Sequence, residues 1–299
     1  MAITNEQLYV RVVEAGSLKA AAGQIGADPS AVSRKIAALE QRLGVKLLQR
    51  STRRSIPTEA GAEYYEAIRN LLEQQAALEA RIAGVRDKPT GRLRIAAPVD
   101  FGAAFVAPVL STLHAQSDGL DVELLLGSSF ADLVREGIDV AIRIGRLPDS
   151  SLIAKRLGAV PRMVVASRAY VEANGFPETP EDLAAHPFVF YRSEHADSDV
   201  KLIREGRECR FTMAGSFCAN GMSVIRKLVA EGKGLHLGPA WAFRDGLRDG
   251  SIVSVLPDYT LEAFPLHAVY VSRSFVPAKV RAFVESMAQA VRADPSLTD

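Results

Sequence analysis

The segment from Gly16 to Gly61 constrains the fold of this chain more than any other stretch. Ser17 stands before an alanine-rich run, where it can cap a helix, and Gly26 can supply the positive φ at which that helix ends. Asp28 and Pro29 then begin a second helix as N-cap and first helical residue. Two short helices, a tight turn, a basic hairpin and a long helix predict a winged helix-turn-helix, which places one helix in the DNA major groove.

The helix that begins at Pro29 has two different faces. Its apolar residues recur at steps of four, three and four and predict a buried stripe of Val32, Ile36, Leu39 and Leu43. The opposite face is small, polar and basic, with Ser30, Ser33, Arg34, Ala37 and Gln41. Hydroxyl and guanidinium groups can contact phosphates or base edges, so this face is a candidate DNA-reading surface. An ordinary amphipathic surface helix is the alternative.

Basic residues cluster at the predicted hairpin. Strand-like segments 45–50 and 55–56 flank Ser51-Thr52-Arg53-Arg54, which places two arginines at a tip that can lie against the DNA backbone or in the minor groove. Residues 1–60 carry nine basic and five acidic side chains, a net +4, so the rest of a chain with total charge +1 carries −3. We predict DNA contacts by Ser30, Ser33, Arg34, Lys35, Arg50, Arg53 and Arg54.

A long helix is predicted to follow the hairpin. Thr58 can cap a helix starting at Glu59, and the next proline is Pro89. About 28 helical residues would extend about 40 Å. Residues spaced four and three apart form a heptad seam with one polar position, Gln75. A second copy of the chain is the simplest partner for the seam, through Tyr64, Ile68, Leu71, Leu78 and Ile82. Packing of the seam on the chain's own second domain is the alternative.

The stretch from Leu8 to Gly61 resembles the LysR-type transcriptional regulators. The resemblance rests on Glu14-Ala15-Gly16-Ser17, Ala21-Ala22, Ser30-Ala31-Val32-Ser33, Leu39-Glu40, Arg50, Thr58 and Ala60-Gly61, and extends to Gly91-Arg92-Leu93-Arg94-Ile95 and to 137–145. Pro29-Ser30 stands where the family usually has glutamine or a second serine, so no base preference is carried over. Leu48 replaces the family's usual phenylalanine.

The resemblance implies a fold, an assembly and an activity. The fold is a winged helix-turn-helix (1–59), a linker helix (60–88) and a two-lobed α/β effector-binding domain similar to periplasmic binding proteins (89–299). The assembly is a homodimer or a dimer of dimers. The activity is control of transcription in response to a small coinducer, an organic acid or an aromatic compound, with RNA polymerase as a further partner.

The region after Pro89 alternates strand-like and helix-like segments, which favours α/β architecture with largely parallel sheets. We place lobe I at about 90–161 and 267–299 and lobe II at about 162–266. Ligands of open α/β sheets bind at the carboxyl ends of strands. This rule selects as effector-binding residues Pro98, Asp100, Phe101, Ser128, Ser129, Arg143, Arg192, Asn220 and Gly238. Helix capping by Ser129 and surface ion pairs of Arg143 or Arg192 are the alternatives.

Signals for other functions are weak. The five histidines are scattered, and no glycine-rich phosphate loop has the usual spacing, so we expect no enzyme, metal or cofactor. Some relatives of this family sense peroxide through a disulfide. If 210–217 is one strand, Cys209 and Cys218 lie about 30 Å apart, too far for a disulfide. We expect inert thiols, no membrane span and a cytoplasmic location.

Two other functions compete with the regulator. A solute-binding protein or enzyme could use the first 90 residues only as a tether, although no signal peptide or catalytic constellation is evident. An architectural DNA-binding protein would need no ligand and would keep full activity after deletion of the residues beyond Pro89.

Overall fold

The computed structural model describes residues 3–50, 55–82, 88–127, 133, 136–148, 152–191, 199–215, 217–271 and 276–297, without the side chains of residues 50, 70, 73, 74, 77 and 80–82. The N-terminal head, residues 3–57, contains helices α1 (Asn5–Ala15), α2 (Leu18–Ile25) and α3 (Pro29–Leu43) and the antiparallel strands β1 (Leu48–Arg50) and β2 (Ser55–Pro57). The linker helix α4 (Glu59–Ile82) follows. The predicted helix-turn-helix, hairpin and long helix are confirmed in this order.

Short-range hydrogen bonds set the ends of these helices, as predicted. The Ser17 hydroxyl accepts from the N–H of Ala20 at 3.1 Å, and the Asp28 carboxylate accepts from the N–H of Ser30 at 2.7 Å. Gly26 has a φ of +63°, a conformation that costs glycine little. The Thr58 hydroxyl accepts from the N–H of Gly61 at 3.0 Å at the start of α4.

The core of the head lies between α1, α3, the hairpin and α4. Val32, Ile36 and Leu39 are buried as predicted. Leu43 is 37% exposed, which corrects the fourth position of the predicted stripe. The reason is that α3 ends at this residue and the chain turns away at Gly44, which has a φ of +72°.

Gly61 allows α4 to lie directly on the hairpin. A Cβ atom at this position would be 2.0 Å from the carbonyl oxygen of Leu47 and 2.9 Å from the hydroxyl of Tyr9. The Tyr9 hydroxyl instead donates to the carbonyl of Gly61 at 2.8 Å. The head and the first turns of α4 are therefore one packed unit.

The predicted effector-binding domain, which we call the effector domain, follows the linker helix. In chain order its elements are β3 (Gly91–Ala97), α5 (Val99–Phe101), a π-helical segment (Gly102–Val106), α6 (Ala107–Ala115), β4 (Leu120–Leu126), β5 (Val140–Ile144), β6 (Leu152–Val160), β7 (Arg162–Ser167), α7 (Arg168–Asn174), a 3-10 helix (Pro180–Ala185), β8 (Val189–Tyr191), β9 (Asp199–Arg204), β10 (Arg207–Thr212), β11 (Phe217–Ala219), α8 (Met222–Ala230), β12 (His236–Pro239), a 3-10 helix (Ala240–Phe243), α9 (Arg244–Asp249), β13 (Ile252–Val255), β14 (Thr260–Leu261), β15 (Phe264–Val271), α10 (Ala278–Ala293) and a 3-10 helix (Pro295–Leu297).

The strands form two groups, which we call lobe I and lobe II. Lobe I is a five-stranded sheet in the order β4-β3-β5-β15-β6, with α6 and α10 packed on its main core. Lobe II contains the sheets β12-β7-β13, β10-β9-β14 and β11-β8. The chain leaves the lobe I sheet between Val160 and Arg162 and rejoins it at Phe264.

The prediction of largely parallel sheets is wrong. In lobe I, β3 is parallel to β4 and β5, but β15 is antiparallel to both β5 and β6. In lobe II, β7 is antiparallel to β12 and β13. A parallel pair of strands needs a crossover connection, usually through a helix, whereas an antiparallel pair does not. No helix lies between β6 and β7, and β15 returns to lobe I antiparallel to its neighbours.

The predicted single strand from Arg210 to Phe217 is also wrong. Strand β10 ends at Thr212 and β11 begins at Phe217, in a different sheet. The separation of the two cysteines estimated from one extended strand therefore fails. Both thiols are free; Cys209 is half-buried on β10 and Cys218 is exposed on β11.

The linker helix contacts lobe I of its own chain. The Glu66 carboxylate lies 3.2 Å from the Arg94 guanidinium, which also donates to Glu123 at 2.8 Å. A Cβ atom at Gly137 would lie 2.0 Å from the second carboxylate oxygen of Glu66. Arg69 is only 4% exposed on the same helix. We call this contact of Glu66, Arg94 and Gly137 the junction.

Candidate nucleic-acid interface and effector cleft

Helix α3 presents the predicted polar face to solvent. Ser30, Arg34, Ala37 and Gln41 are exposed, and Ser33 is half-buried. Lys35 is exposed too, and its ammonium donates to the carbonyl of Ile3 at 3.2 Å. An exposed N-terminal half of a second helix with hydroxyl and guanidinium groups is the surface that a helix-turn-helix inserts into the major groove.

Glu40 ties α3 to the start of the hairpin, and its role was not predicted. Its buried carboxylate accepts from the N–H groups of Leu47 and Leu48 at 3.0 and 3.2 Å and pairs with Lys46 at 2.8 Å. Burial would raise the pKa of Glu40, but these hydrogen bonds outweigh burial and lower the pKa. The only sequence signal was a carboxylate next to the buried Leu39.

Arg53 and Arg54, predicted at the tip of the hairpin (the wing, residues 51–54), lie outside the described part of the chain. The backbone of Arg50 ends β1, but its side chain is not described, and neither are Arg53 and Arg54. On the described strands, Arg50 of β1 pairs with Ser55 of β2. The N–H of Ser55 donates to the carbonyl of Gly16 at 3.0 Å, so the hairpin is anchored at the turn between α1 and α2.

The predicted seam of the linker helix divides into two parts. Tyr64 and Ile68 pack against the core of the head in the same chain, with the Tyr64 and Tyr9 rings 5.7 Å apart. Leu71 and Leu78 are 58% and 40% exposed, and the side chain of Ile82 is not described. Between the head and Leu72 of the linker helix, a groove of about 570 Å³ is lined by Ile3, Gln7, Val10, Arg11, Glu14, Gln24 and Leu72.

Asp100 of lobe I contacts the first turn of α8 of lobe II, near the loops predicted to bind an effector. Both carboxylate oxygens of Asp100 accept hydrogen bonds, from the N–H of Met222 at 2.8 Å and from the N–H of Ser223 at 2.9 Å. Gly221 at the N-cap position has no side chain to cap α8, so Asp100 performs that role across the lobes. The charge of Asp100 and, more strongly, burial raise the pKa of Tyr191.

Aromatic rings join the lobes beside Asp100. Phe101 is buried, and its ring and that of Phe105 lie 5.9 and 5.4 Å from the ring of Trp241, both edge-on. Phe101 and Phe105 belong to lobe I, and Trp241 belongs to the 3-10 helix after β12 in lobe II. The indole N–H of Trp241 is buried and has no hydrogen-bond partner in the part of the chain that the structure describes.

The other predicted effector residues are distributed unevenly. Pro98 is half-buried next to α5, and Asn220 is exposed just before α8. Both therefore lie near the Asp100 contact. Arg143 is buried on β5 beside His267 of β15; burial lowers its pKa and the charge of Glu136 opposes this. Ser128, Ser129 and Arg192 lie outside the described residues.

Gly238 belongs to the core of lobe II through His236. A Cβ atom at Gly238 would be 2.1 Å from Nε2 of His236, so only glycine fits over this ring. The Nδ1 atom of His236 donates to the carbonyl of Val189 at 2.8 Å, and the residue is 1% exposed. Burial lowers its pKa to about 4 despite this hydrogen bond, so the imidazole is neutral at pH 7.

Sequence reasoning missed Tyr191, Phe105 and Trp241. Trp241 stands three residues after Gly238 at the carboxyl end of β12, where the strand-end rule could have included it. Tyr191 ends β8 by the same rule. Phe105 carries no such signal, because it reaches the cleft through the helical turn that follows Phe101.

The described residues contain neither a metal-binding cluster nor a membrane-spanning helix. No three histidine, cysteine or acidic side chains there stand close enough together to bind a metal ion. The same ranges contain no helix with the length and hydropathy that crossing a lipid bilayer demands.

Comparisons with known proteins match both parts of the chain. Residues 5–62 match the family described as "Bacterial regulatory helix-turn-helix protein, lysR family", and residues 86–292 match the "LysR substrate binding domain". The HTH-type transcriptional activator AaeR of Escherichia coli K12 is 35% identical over 281 residues, which are 94% of this chain and 91% of that protein.

Solved structures of full-length relatives have the same architecture. The chain aligns with the Vibrio cholerae virulence activator AphB at 29% identity and a TM-score of 0.60, covering 97% of this chain and 99% of that one. It aligns with CrgA of Neisseria meningitidis at 27% identity and a TM-score of 0.61, covering 97% and 98%. The chain therefore belongs to the LysR family: it is a LysR-type transcriptional regulator with an N-terminal helix-turn-helix and a substrate-binding domain.

Proposed function

We propose that this regulator binds duplex DNA as a homodimer or as a dimer of dimers. A small organic acid or aromatic coinducer enters the cleft between the lobes and changes the footprint and the bend of the bound DNA. The observation that carries the proposal is the exposed face of α3 with Ser30, Ser33 and Arg34. A fused two-lobed domain with an interlobe aromatic cluster supports ligand control.

On DNA, Arg34 reads a base edge, whereas Arg53 and Arg54 at the wing bind phosphates. The serines and Lys35 position α3 on the backbone. Guanidinium groups suit both tasks, because they pair with guanine in the groove and with phosphate oxygens outside it. Arg50, predicted to contact DNA as well, is the last residue of β1.

The test of DNA reading compares two arginine variants by selection of bound duplexes from a random pool. Arg34→Ala should change the base preference at one position, with a discrimination loss of about 1–3 kcal/mol. Arg53→Ala should weaken all duplexes alike and reduce the salt slope by about one. Equal losses on all sequences for both variants would remove Arg34 as a base reader.

Dimer formation uses the exposed part of the linker helix. Leu71 and Leu78 lie two turns apart and would pack against the same residues of a second copy. Tyr64 and Ile68 contribute less, because they already pack on the head. Leu71→Glu together with Leu78→Glu should give monomers in analytical ultracentrifugation and lose high-affinity binding to a two-half-site duplex. Retention of the wild-type mass would place the interface elsewhere.

The coinducer acts through the relative position of the lobes. It shifts the equilibrium only if it binds one arrangement more tightly. The junction supports transmission, because Glu66 of the linker helix contacts Arg94 of lobe I. The rings of Phe101, Phe105 and Trp241 suit an apolar or aromatic part of the ligand, and the Trp241 N–H suits an acceptor atom.

A thermal-shift screen of small carboxylates and aromatic compounds tests this part. A compound that raises the melting temperature of the effector domain is then added to a footprinting assay. We expect the footprint and the DNA bend to change at saturation. An unchanged footprint at full occupancy would contradict coinducer control. Full activity of a chain ending at Pro89 would favour the architectural alternative.

A further inference from the structure

We propose that Asp100 is an interlobe latch: its carboxylate, carried by lobe I, holds the first turn of α8 in lobe II and keeps the two lobes together before any coinducer binds. The latch itself stands on the described contacts. Only its consequence for the coinducer response rests on the function proposed above.

The geometry uses both oxygens of the carboxylate. Oδ2 accepts from the N–H of Met222 at 2.8 Å, and Oδ1 accepts from the N–H of Ser223 at 2.9 Å. These N–H groups belong to the first turn of α8, where a helix has no internal acceptors for them. The negative charge of the carboxylate is also attracted to the positive end of the α8 helix dipole. The two partners are separated by more than 120 residues of chain.

The surroundings of Asp100 strengthen the contact. The next residue, Phe101, is buried and packs edge-on against Trp241 of lobe II at 5.9 Å. Tyr191 of lobe II lies near enough for the charge of Asp100 to help raise the pKa of the phenol. The polar latch and the aromatic contact thus act on the same pair of surfaces.

Two further contacts join the lobes through residues that precede and follow Trp241 in the chain. Arg244 on α9 pairs with Asp294, after α10, at 2.9 Å, and the N–H of Ala240 donates to the carbonyl of Pro161 at 3.0 Å, where the chain crosses between lobes. Neither contact involves Asp100, so both can keep the lobes joined when the Asp100 hydrogen bonds are lost.

Asparagine at position 100 is the sharpest variant. It has nearly the same shape as aspartate, but only one of its terminal atoms accepts a hydrogen bond. Its NH₂ group would face one of the two N–H groups, so one latch bond must break. Asp100→Ala removes both bonds. Asp118→Asn is the matched control, because Asp118 is an exposed carboxylate in the turn after α6 of the same lobe.

Trp241 reports the result directly, because it is the chain's one tryptophan and lies at the interlobe contact. In the full-length protein without coinducer, we expect Asp100→Asn and Asp100→Ala to shift Trp241 emission to longer wavelength and to raise its quenching by acrylamide. The melting temperature of the effector domain should fall by about 5 °C. Asp118→Asn should match the wild type in all three measurements.

Acetate provides the second measurement. A carboxylate in solution can replace the missing side chain in Asp100→Ala, whereas in the wild type the two N–H groups are already bound. We expect acetate, against chloride at the same ionic strength, to restore part of the melting temperature of Asp100→Ala only. Circular dichroism establishes that each variant is folded; if Asp100→Ala is not, Asp100→Asn decides.

Folded variants with wild-type emission, quenching and melting temperature would overturn the latch. That outcome leaves the proposed function intact, because DNA binding and the coinducer screen are measured separately. If both proposals hold and the coinducer binds the latched arrangement more tightly, the coinducer concentration for half-maximal response should rise in Asp100→Asn, because a smaller fraction of the apo protein is latched.

Discussion

The head and the effector domain present their candidate sites in opposite ways. The head exposes one face of a single helix, α3. Caps whose N–H partners lie two or three positions away fix where α2 and α3 begin. The effector domain joins its two lobes through Asp100 and the N–H of Met222, which are 122 residues apart in the chain. A rigid outward face suits recognition of a rigid duplex, whereas a site shared between two lobes couples ligand binding to movement.

The largest effect is expected at Gly61, where α4 lies directly on the hairpin. Gly61→Ala places a Cβ atom 2.0 Å from the Leu47 carbonyl, so α4 must shift off the hairpin. The head should lose about 3 kcal/mol or more of its unfolding free energy, with loss of DNA binding. Hydrogen exchange of amides in α1 and β3 measures the two regions separately, and the β3 amides should keep their protection.

Gly23→Ala is the control for this change. A Cβ atom there would meet nothing within 4 Å, and the residue is in α2, where alanine is favoured over glycine by about 1 kcal/mol. Wild-type protection of α1 in Gly61→Ala would contradict the close approach of α4 and the hairpin.

The stability of the effector domain is expected to depend on pH through His236 in the core of lobe II. Burial lowers the pKa of His236 from 6.5 to about 4, so the unfolded chain binds a proton in this interval that the folded chain does not. The effector domain should therefore lose about 3 kcal/mol of stability as the pH falls from about 6.5 to about 4.

Denaturant titrations at several pH values measure this dependence. His236→Asn keeps a donor for the Val189 carbonyl but cannot be protonated, so its stability should change less over the same interval. An identical pH dependence in this variant would show that other groups cause the effect. The α1 amides of the head should not follow the His236 titration.

A smaller effect is expected from the cap of α2. Ser17→Ala removes the hydroxyl that accepts from the N–H of Ala20 at 3.1 Å, which should cost about 1 kcal/mol in the head. Ser17→Asp restores an acceptor and should regain most of the loss. Thermal unfolding followed by α1 and α2 hydrogen exchange measures both variants. Equal stability of all three proteins would mean that the cap contributes nothing measurable.

The smallest effect belongs to the junction, where the two regions meet. Glu66 and Arg94 are 24% and 15% exposed and 3.2 Å apart. A double-mutant cycle with Glu66→Gln and Arg94→Gln should give a coupling energy between about 0.5 and 1 kcal/mol. Zero coupling would mean that the head and the effector domain are energetically independent at this contact.

The same division explains what could be predicted from the sequence. The caps formed by Ser17, Asp28 and Thr58 have N–H partners two or three residues away, so these roles follow from local patterns. Glu40 escaped prediction because its partners lie seven and eight positions away, on the hairpin. The prediction that Leu43 is buried is wrong because a periodic pattern does not indicate where the surface that covers α3 ends.

In the effector domain, nonlocal pairing limits prediction. Strand β15 pairs with β5 and β6 across more than 100 residues, so no local pattern indicates that it is antiparallel. The rule of strand ends found the loop of Asp100 and the start of α8, but not their direct contact. Trp241 and Tyr191 are part of the cleft only because lobe II folds back on lobe I.

The most direct test of the account is the salt dependence of DNA binding by the full-length wild-type protein. In dilute buffer it should bind a duplex selected from the random pool, and the logarithm of affinity should fall linearly with the logarithm of salt concentration, with a slope that decreases by about one in Arg53→Ala. A protein that stays monomeric, or that does not bind any duplex in dilute buffer, would contradict the account.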